Sequence, residues 1–307
     1  MPKKKAVSRA KASRGQTAGG AAVAIRPARR DDLAAAAELM VPFITRGELL
    51  RRSRRELARL LRHAFVAETA GRVAGFAALE VYSAKIAEIQ CLSFEESAEP
   101  GEIVAQLVRR CVRRARRKGV LEVMAVVPES LEATLKDCGF DFSLPRHKRA
   151  MFIRPADAGA AAEAGLSSAA AEEATLRAAT RRDVAAIGEF IAPFIARGEL
   201  LPRTDAELVR LARHAFIAEA EGRMVGLAAM EIYSKKLSEI QCLSVAKGYR
   251  AQGIGRRLVA LCVQCARERH ITETMAISSR EEFLQACGFS YCLPGPKTAL
   301  FFKTRDR

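Results

Sequence analysis

The sequence predicts an α+β fold built from two tandem copies of one unit, each a mixed, mostly antiparallel sheet flanked by helices. Three observations carry this reading. Pro42-Phe-Ile-Thr-Arg-Gly-Glu-Leu-Leu50 recurs as Pro193-Phe-Ile-Ala-Arg-Gly-Glu-Leu-Leu201, and Tyr82 to Ser93 recurs as Tyr233 to Ser244, at one offset (193 − 42 = 151). Helical and strand periodicities alternate along the second copy. A repeat of roughly 130 residues is too long for a solenoid or propeller unit, so it reads as a duplicated domain. With 307 residues, 50% of them apolar, each copy can bury a core of its own, and the two are expected to pack as a pseudo-dimer.

The second copy shows the elements most clearly. Thr175 to Ala178 reads as a short strand, and Asp183 caps an apolar-periodic helix through Ile191. A second helix is expected from Asp205 to His214. Phe216 to Ala220, Arg223 to Tyr233 and Leu237 to Val245 are β-like runs, the first two joined by Glu221-Gly222, a hairpin signal. From Gly255 onward apolar residues return at helical spacing. A strand over Thr274 to Ile277, a helix over Arg280 to Ala286 and closing strands after Cys287-Gly-Phe289 complete the unit. The implied domains are a basic disordered tail (1–20), a first copy (21–154), an Ala/Gly/Glu/Ser-rich linker (155–174) and a second copy (175–304).

Composition narrows the function classes. No apolar run reaches the ~20 residues of a membrane span. The tail, Met1-Pro-Lys-Lys-Lys, has no apolar core for export, although its bias toward Arg, Lys and Ser also suits an organelle transit segment. Eight cysteines sit largely inside apolar segments, which suits reduced thiols in a cytoplasm better than a disulfide framework. Cys262-x-x-Cys265 has metal-ligand spacing, but it lies in a helical pattern without a second pair, so no metal is expected. The net charge of +16 is concentrated in the tail and in Arg109 to Lys118. That helix is either a solvated face or a polyanion contact.

The chemistry-bearing segment is Arg250-Ala-Gln-Gly-Ile-Gly255, between a strand and a helix. Glycines there let an anion approach the backbone N–H groups at a helix N-terminus, where the dipole favours negative charge. It is no Walker loop, since Lys-Ser/Thr does not follow, and it lacks the third glycine of a dinucleotide turn. Together with Leu243-Ser-Val245 before it and Cys287-Gly-Phe289 after it, the loop resembles the signature of the GNAT acyl-CoA N-acetyltransferase family. The likeness runs the length of the second copy. Within the family the unit is most similar to the acetyltransferase domain of N-acetylglutamate synthases, through Arg197-Gly-Glu-Leu-Leu-Pro-Arg203, Lys236 to Val245 and Tyr249-Arg250. It departs from them in lacking an upstream amino-acid-kinase domain and in placing Pro202 where a basic residue is frequent.

The resemblance implies acetyl-CoA as co-substrate, its pantetheine along Leu243, Ser244 and Val245. Its pyrophosphate would lie on Arg250, Ala251, Gln252, Gly253, Ile254 and Gly255. Glu239, a carboxylate between apolar Leu237 and Ile240, is the candidate base that takes a proton from the attacking amine, and a backbone N–H near Leu243 is placed to stabilise the oxyanion. Arg203 and Lys236 are candidates for an acceptor carboxylate, and Ser279 matches a serine of the synthase-like pattern. No general acid is evident, because Leu284 stands where the family often has tyrosine. Cys242 reads as a buried strand cysteine.

The first copy has Glu99, Glu102 and Val104 where the second has Arg250, Gly253 and Gly255. Carboxylates facing a pyrophosphate disfavour donor binding, while Arg51, Arg52, Tyr82, Lys85 and Glu88 survive on the acceptor side. The first copy therefore reads as a pseudoenzyme domain with a supporting or regulatory role. The resulting expectation is acetyl-CoA-dependent N-acetylation of a small amino acid, L-glutamate being the example. The alternatives are another amine acceptor, in a protein or a small molecule, or a basic nucleic-acid or ribosome-associated protein with vestigial catalysis. Oligomeric state and regulation are not encoded in any motif.

Overall fold

The computed structural model describes residues 23–95, 100–144, 148–158, 174–291 and 297–304. The tail and most of the linker lie outside them. In the first repeat the order is β1 (Ala24–Pro27), α1 (Leu33–Thr45), α2 (Arg54–Leu60), β2 (Ala64–Thr69), β3 (Arg72–Val81) and β4 (Ile86–Phe94), then α3 (Pro100–Arg117), β5 (Glu122–Pro128), α4 (Glu132–Asp137), β6 (Ser143–Leu144) and β7 (Lys148–Ile153). The second repeat follows with β8 (Thr175–Ala178), α5 (Val184–Ala196), α6 (Asp205–Ala212), β9 (Ala215–Ala220), β10 (Arg223–Ile232) and β11 (Leu237–Val245), then α7 (Ile254–Glu268), β12 (Glu273–Ser278), α8 (Glu281–Ala286) and β13 (Lys297–Lys303).

The elements form where local chemistry places them. Thr204 accepts from the Glu207 N–H while Glu207 accepts from Thr204 N, a reciprocal box that starts α6. α5 runs past the expected Ile191 to Ala196, because Pro193 sits late in it and its carbonyl still receives the Arg197 N–H at 3.2 Å. Asp183 holds the entrance to α5 differently from a simple cap. Its carboxylate takes both Arg177 Nη atoms, at 2.9 and 2.7 Å, and the Thr180 N–H at 2.7 Å. These contacts hold its pKa far below the usual carboxylate range.

Two sheets result, ordered β1-β2-β3-β4-β5-β13 and β6-β7-β12-β11-β10-β9-β8. All neighbours are antiparallel except β4/β5 and β11/β12. The sequence repeat and the sheet part company at their last strand. β13 pairs with β5 of the first repeat from Lys297↔Pro128 to Lys303↔Glu122, and β7 pairs with β12 of the second. The repeats thus exchange their closing strands, and each sheet is completed by the other copy.

Helices cover the sheets with apolar faces. Leu258, Val259, Cys262, Val263 and Ala266 of α7 are buried against β10 and β11, as Leu107, Val108, Cys111 and Ala115 of α3 are in the first unit. A further buried cluster joins the units through Ile86, Met124, Phe152, Leu237, Met275 and Phe301. No helix among the described residues is long and apolar enough to cross a membrane.

Candidate active site

Strand β11 positions almost everything of chemical interest in the second repeat. Its pairing with β10 shifts between Leu227↔Ser244 and Ala229↔Gln241, so Cys242 and Leu243 bulge out of register, with Cys242 held at φ 54°. Its parallel pairing with β12 ends at Ile240↔Ala276, although β11 continues to Val245. Leu243, Ser244 and Val245 therefore run past the last rung shared with β12, where an extended ligand can take the ladder position. Ser244 Oγ donates to Cys242 O at 3.0 Å, which stiffens the bulge.

The glycine loop follows directly. Ala251 (φ 64°) and Gly253 (φ 77°) are both left-handed, and Gly253 caps α7, which starts at Ile254. A Cβ on Gly255 would sit 3.3 Å from Phe283 Cζ, tight enough that the ring would have to give by a few tenths of an ångström, and 3.8 Å from Val245 Cγ2, an ordinary contact. Arg250 does not hang free over the loop. Its Nε donates to Val245 O at 3.1 Å and its Nη2 lies 3.7 Å from Glu199 Oε2. Gln252 Nε2 donates to Gly248 O at 3.4 Å. The first repeat differs in backbone as well as charge. Its helix already begins at Pro100, three positions earlier in the repeat than α7 does, and fully buried Val104 occupies the place of Gly255. Glu102 is exposed and accepts from Gln106 Nε2, while Glu99 lies outside the described residues.

Glu239 projects from β11 into a polar cluster. Tyr233 Oη donates to its Oε2, and Gln241 Nε2 donates to Glu239 Oε2 (2.8 Å), Glu231 Oε2 (2.8 Å) and Tyr233 Oη (3.2 Å). Burial pushes the Glu239 carboxyl above the usual carboxylate range, against the hydrogen bonds from Tyr233 and Gln241 and the Arg203 charge, which pull it down. Burial likewise raises the Tyr233 phenol well above its ordinary value. A carboxylate made more basic and kept beside a bulged strand is equipped to take a proton.

Arg203 enters from the segment before α6, with its Nε buried and without a hydrogen-bond partner, and its charge bears on both Glu239 and Cys242. The Cys242 thiol is pushed up by burial, in keeping with a packed thiol rather than a nucleophile. Lys236 reaches across to the first repeat, where its Nζ meets Glu88 Oε1 at 2.5 Å. Ser279 follows the end of β12, on the side where β11 and β12 diverge, and its neighbour Ser278 accepts the Arg280 N–H at 2.9 Å. Leu284 is buried in the core, and Tyr291 donates to Glu281 beneath the Arg149 guanidinium, 3.9 Å from its ring.

The first repeat carries the same cluster, which the repeat register makes visible. Tyr82 donates to Glu88, and Gln90 Nε2 donates to Glu80 (2.5 Å), Tyr82 (2.8 Å) and Glu88 (3.0 Å). The two clusters meet where Tyr82 and Tyr233 stack at 5.2 Å, inclined by 20°. Sequence reasoning did not find Glu231 or Gln241. Their alternation with Tyr233 and Glu239 on paired strands was the available signal. Among the described residues no group of three His, Cys, Asp or Glu side chains could hold a metal ion.

Residues 187–289 match the model of the Acetyltransferase (GNAT) family. The chain is 28% identical over 119 residues to an uncharacterised N-acetyltransferase of Chlorobaculum tepidum, an overlap of 39% of this chain and 77% of that protein. It is 33% identical over 108 residues to an amino-acid acetyltransferase of Ralstonia nicotianae, covering 35% of this chain but only 24% of that protein, so it spans about a quarter of that relative. Among solved structures, a GCN5-related N-acetyltransferase from Sphaerobacter thermophilus aligns over 92% of this chain and 96% of its own, at 16% identity and a TM-score of 0.59. A tandem GNAT protein from the clavulanic acid biosynthesis pathway aligns over 93% and 100%, at 14% identity and a TM-score of 0.52. At such identities these structures speak to the fold, and they extend it over both repeats.

Proposed function

We propose that this chain, which belongs to the GNAT acetyltransferase family through its second repeat, transfers the acetyl group of acetyl-CoA to the α-amine of a small amino acid, with L-glutamate the first acceptor to try. The observation that carries the proposal is the placement of three parts on one strand. The Glu239 cluster, the Cys242–Leu243 bulge and the glycine loop follow one another along β11 and its C-terminal end.

The donor side fits the group the family implies. Ala251 to Gly255 present a left-handed loop and the N-terminus of α7 to a pyrophosphate. Leu243 to Val245 offer strand backbone to an extended chain. When bound there, acetyl-CoA supplies an activated thioester acetyl group. Arg250 contributes by bracing the loop against β11, and its charge is shared with Glu199.

On the acceptor side, Glu239 takes the proton that an ammonium must lose before it is nucleophilic, directly or through a water. Tyr233 and Gln241 hold the carboxylate in place. Arg203 is the best candidate for an acceptor carboxylate, because its donor at Nε is buried and unmatched. Lys236 serves this reading through the first repeat, by its ion pair with Glu88. Ser279 remains a candidate for contact at the mouth of the β11/β12 gap. The first repeat, with its earlier helix start and Val104, is assigned support without donor binding.

The test is chemical. Incubation of the purified protein with acetyl-CoA and a mixture of amino acids, amines and peptides, followed by mass spectrometry, should show one amino acid gaining an acetyl group on its α-nitrogen. Acetylation confined to peptides, or none above background, would count against the proposal.

A further inference from the structure

The two copies of the polar cluster differ at the amide oxygen of their glutamine, besides the Lys236 ion pair that only Glu88 receives. Gln241 is 5% exposed and its Nε2 faces Glu231, Glu239 and the Tyr233 oxygen. That set fixes the amide orientation, since an oxygen turned toward two carboxylates would meet only acceptors. Gln241 Oε1 must therefore point away from the cluster, and it is buried there with no hydrogen-bond partner. A buried carbonyl left unmatched is costly, and native interiors rarely keep one without a reason.

The first repeat shows what the same atom does when the site is closed. Gln90, 4% exposed, makes the same three bonds through Nε2, and its Oε1 accepts from Arg52 Nη2 at 2.5 Å. Arg203 is the counterpart of Arg52 in the second repeat, yet it leaves Gln241 Oε1 unmatched, and its own Nε is buried and unmatched as well. One repeat has arginine bonded to amide. In the other, Gln241 Oε1 lacks a partner, and so does Arg203 Nε, an atom other than the Nη2 through which Arg52 bonds; the Arg203 side chain reaches Cys242 instead.

A molecule that satisfies both must give an N–H to the amide oxygen and a carboxylate to the guanidinium. An α-amino acid carries these two groups on one carbon. We propose that Gln241 Oε1 receives a hydrogen bond from the acceptor's amine and so places its nitrogen beside Glu239, while the Arg52–Gln90 bond closes the equivalent place in the first repeat. The assignment rests on the amino-acid reading above and deepens it. It makes Gln241 a specificity-determining residue for the free amine, separately from any part Arg203 plays with the carboxylate.

The experiment uses the full chain and the α-amino acid it turns over best, with the same molecule lacking its amine as a competitive inhibitor (glutarate where that amino acid is L-glutamate). Gln241→Met keeps the length of the side chain and removes the oxygen together with the Nε2 bonds that hold Glu239, so loss of the latter is read in kcat and loss of the former in KM. It should raise KM for the amino acid roughly 10- to 100-fold, the loss expected for one hydrogen bond to a charged group, and leave the inhibition constant of the desamino acid within about twofold. Gln90→Met removes the same internal bonds from the first repeat and should leave both constants unchanged. If Gln241→Met does not fold, Gln241→Asn retracts the amide by one methylene and makes the same test. Equal weakening of amino acid and desamino acid, or no change in either, would overturn the assignment. Absence of turnover with any α-amino acid by the unmodified protein would sink the reading of the reaction, and the assignment with it.

Discussion

Lys236 Nζ lies 2.5 Å from Glu88 Oε1, and this ion pair joins the second repeat to the equivalent carboxylate of the first. Glu88 is 1% exposed on its side chain and Lys236 16%, so the pair is largely dry. Beside it Tyr82 and Tyr233 stack, each donating to the glutamate of its own repeat. The first repeat thus braces the segment leading into β11.

Removing one partner of this pair should cost far more than removing both. Glu88→Gln or Lys236→Met alone leaves a charge buried without its mate, at about 3–5 kcal/mol, whereas the double substitution should recover much of that loss. Chemical denaturation of the four proteins gives the coupling energy. A coupling near zero would mean that the two side chains do not depend on each other.

The donor loop is predicted to fail by shape before charge. Gly255→Val, which reproduces the first repeat, brings new atoms against Phe283, and Gly253→Glu forces a side chain into φ 77°. Both should raise KM for acetyl-CoA by at least about tenfold, with smaller effects on the melting temperature. Calorimetric titration of the unmodified protein should give one acetyl-CoA per chain. Two sites would contradict the reading of the first repeat.

Glu239 sets a pH dependence with a definite sign. Burial raises its folded pKa, and only the deprotonated form serves as base, so kcat/KM should rise with pH through an apparent pKa above the usual carboxylate value of about 4.3. Glu239→Gln should remove that limb and lower kcat by about 10²–10⁴-fold. Retention of the limb in the variant would assign it to another group.

Asp183 shows the opposite sign. Its folded pKa is depressed by Arg177, so the stability it contributes is complete above its unfolded pKa and is lost as pH falls toward the folded value. Asp183→Asn should cost roughly 1–2 kcal/mol near neutral pH, a figure tempered by the partial exposure of Arg177. The difference from the unmodified protein should shrink steadily below pH ~4. A pH-independent difference would indicate lost packing instead.

Deleting β13 should unfold structure far away in sequence. Its ladder partner is β5, so a chain ending before Lys297 should lose amide-exchange protection over Glu122–Pro128 first. Loss confined to the second repeat would contradict the strand exchange.

Most of the fold was legible in local pattern. The strand runs over 175–178, 223–233 and 237–245 fall on β8, β10 and β11 almost residue for residue, because alternation and the Glu221-Gly222 turn fix them locally. The exchange of closing strands was not legible. Lys148–Ile153 and Lys297–Lys303 are similar segments, and β5 and β12 are equivalent edges, so nothing in either stretch specifies which copy it completes. Glu239 was visible as an acid in an apolar strand. The partner of Lys236 was not, since Glu88 lies 148 residues away and the pairing depends on how the repeats pack. Ala251 was legible as a loop residue but not as a left-handed one, a conformation alanine seldom adopts.

The most direct measurement is steady-state release of free CoA thiol from acetyl-CoA with L-glutamate and a panel of amines, for the unmodified protein, Glu239→Gln and Gly253→Glu. Turnover is expected with an α-amino acid, lowered about 10²–10⁴-fold in kcat by Glu239→Gln with little change in acetyl-CoA affinity, and lost at low acetyl-CoA in Gly253→Glu through a raised KM. Full turnover by Glu239→Gln, or turnover that survives Gly253→Glu at low acetyl-CoA, would contradict a single active centre built on β11.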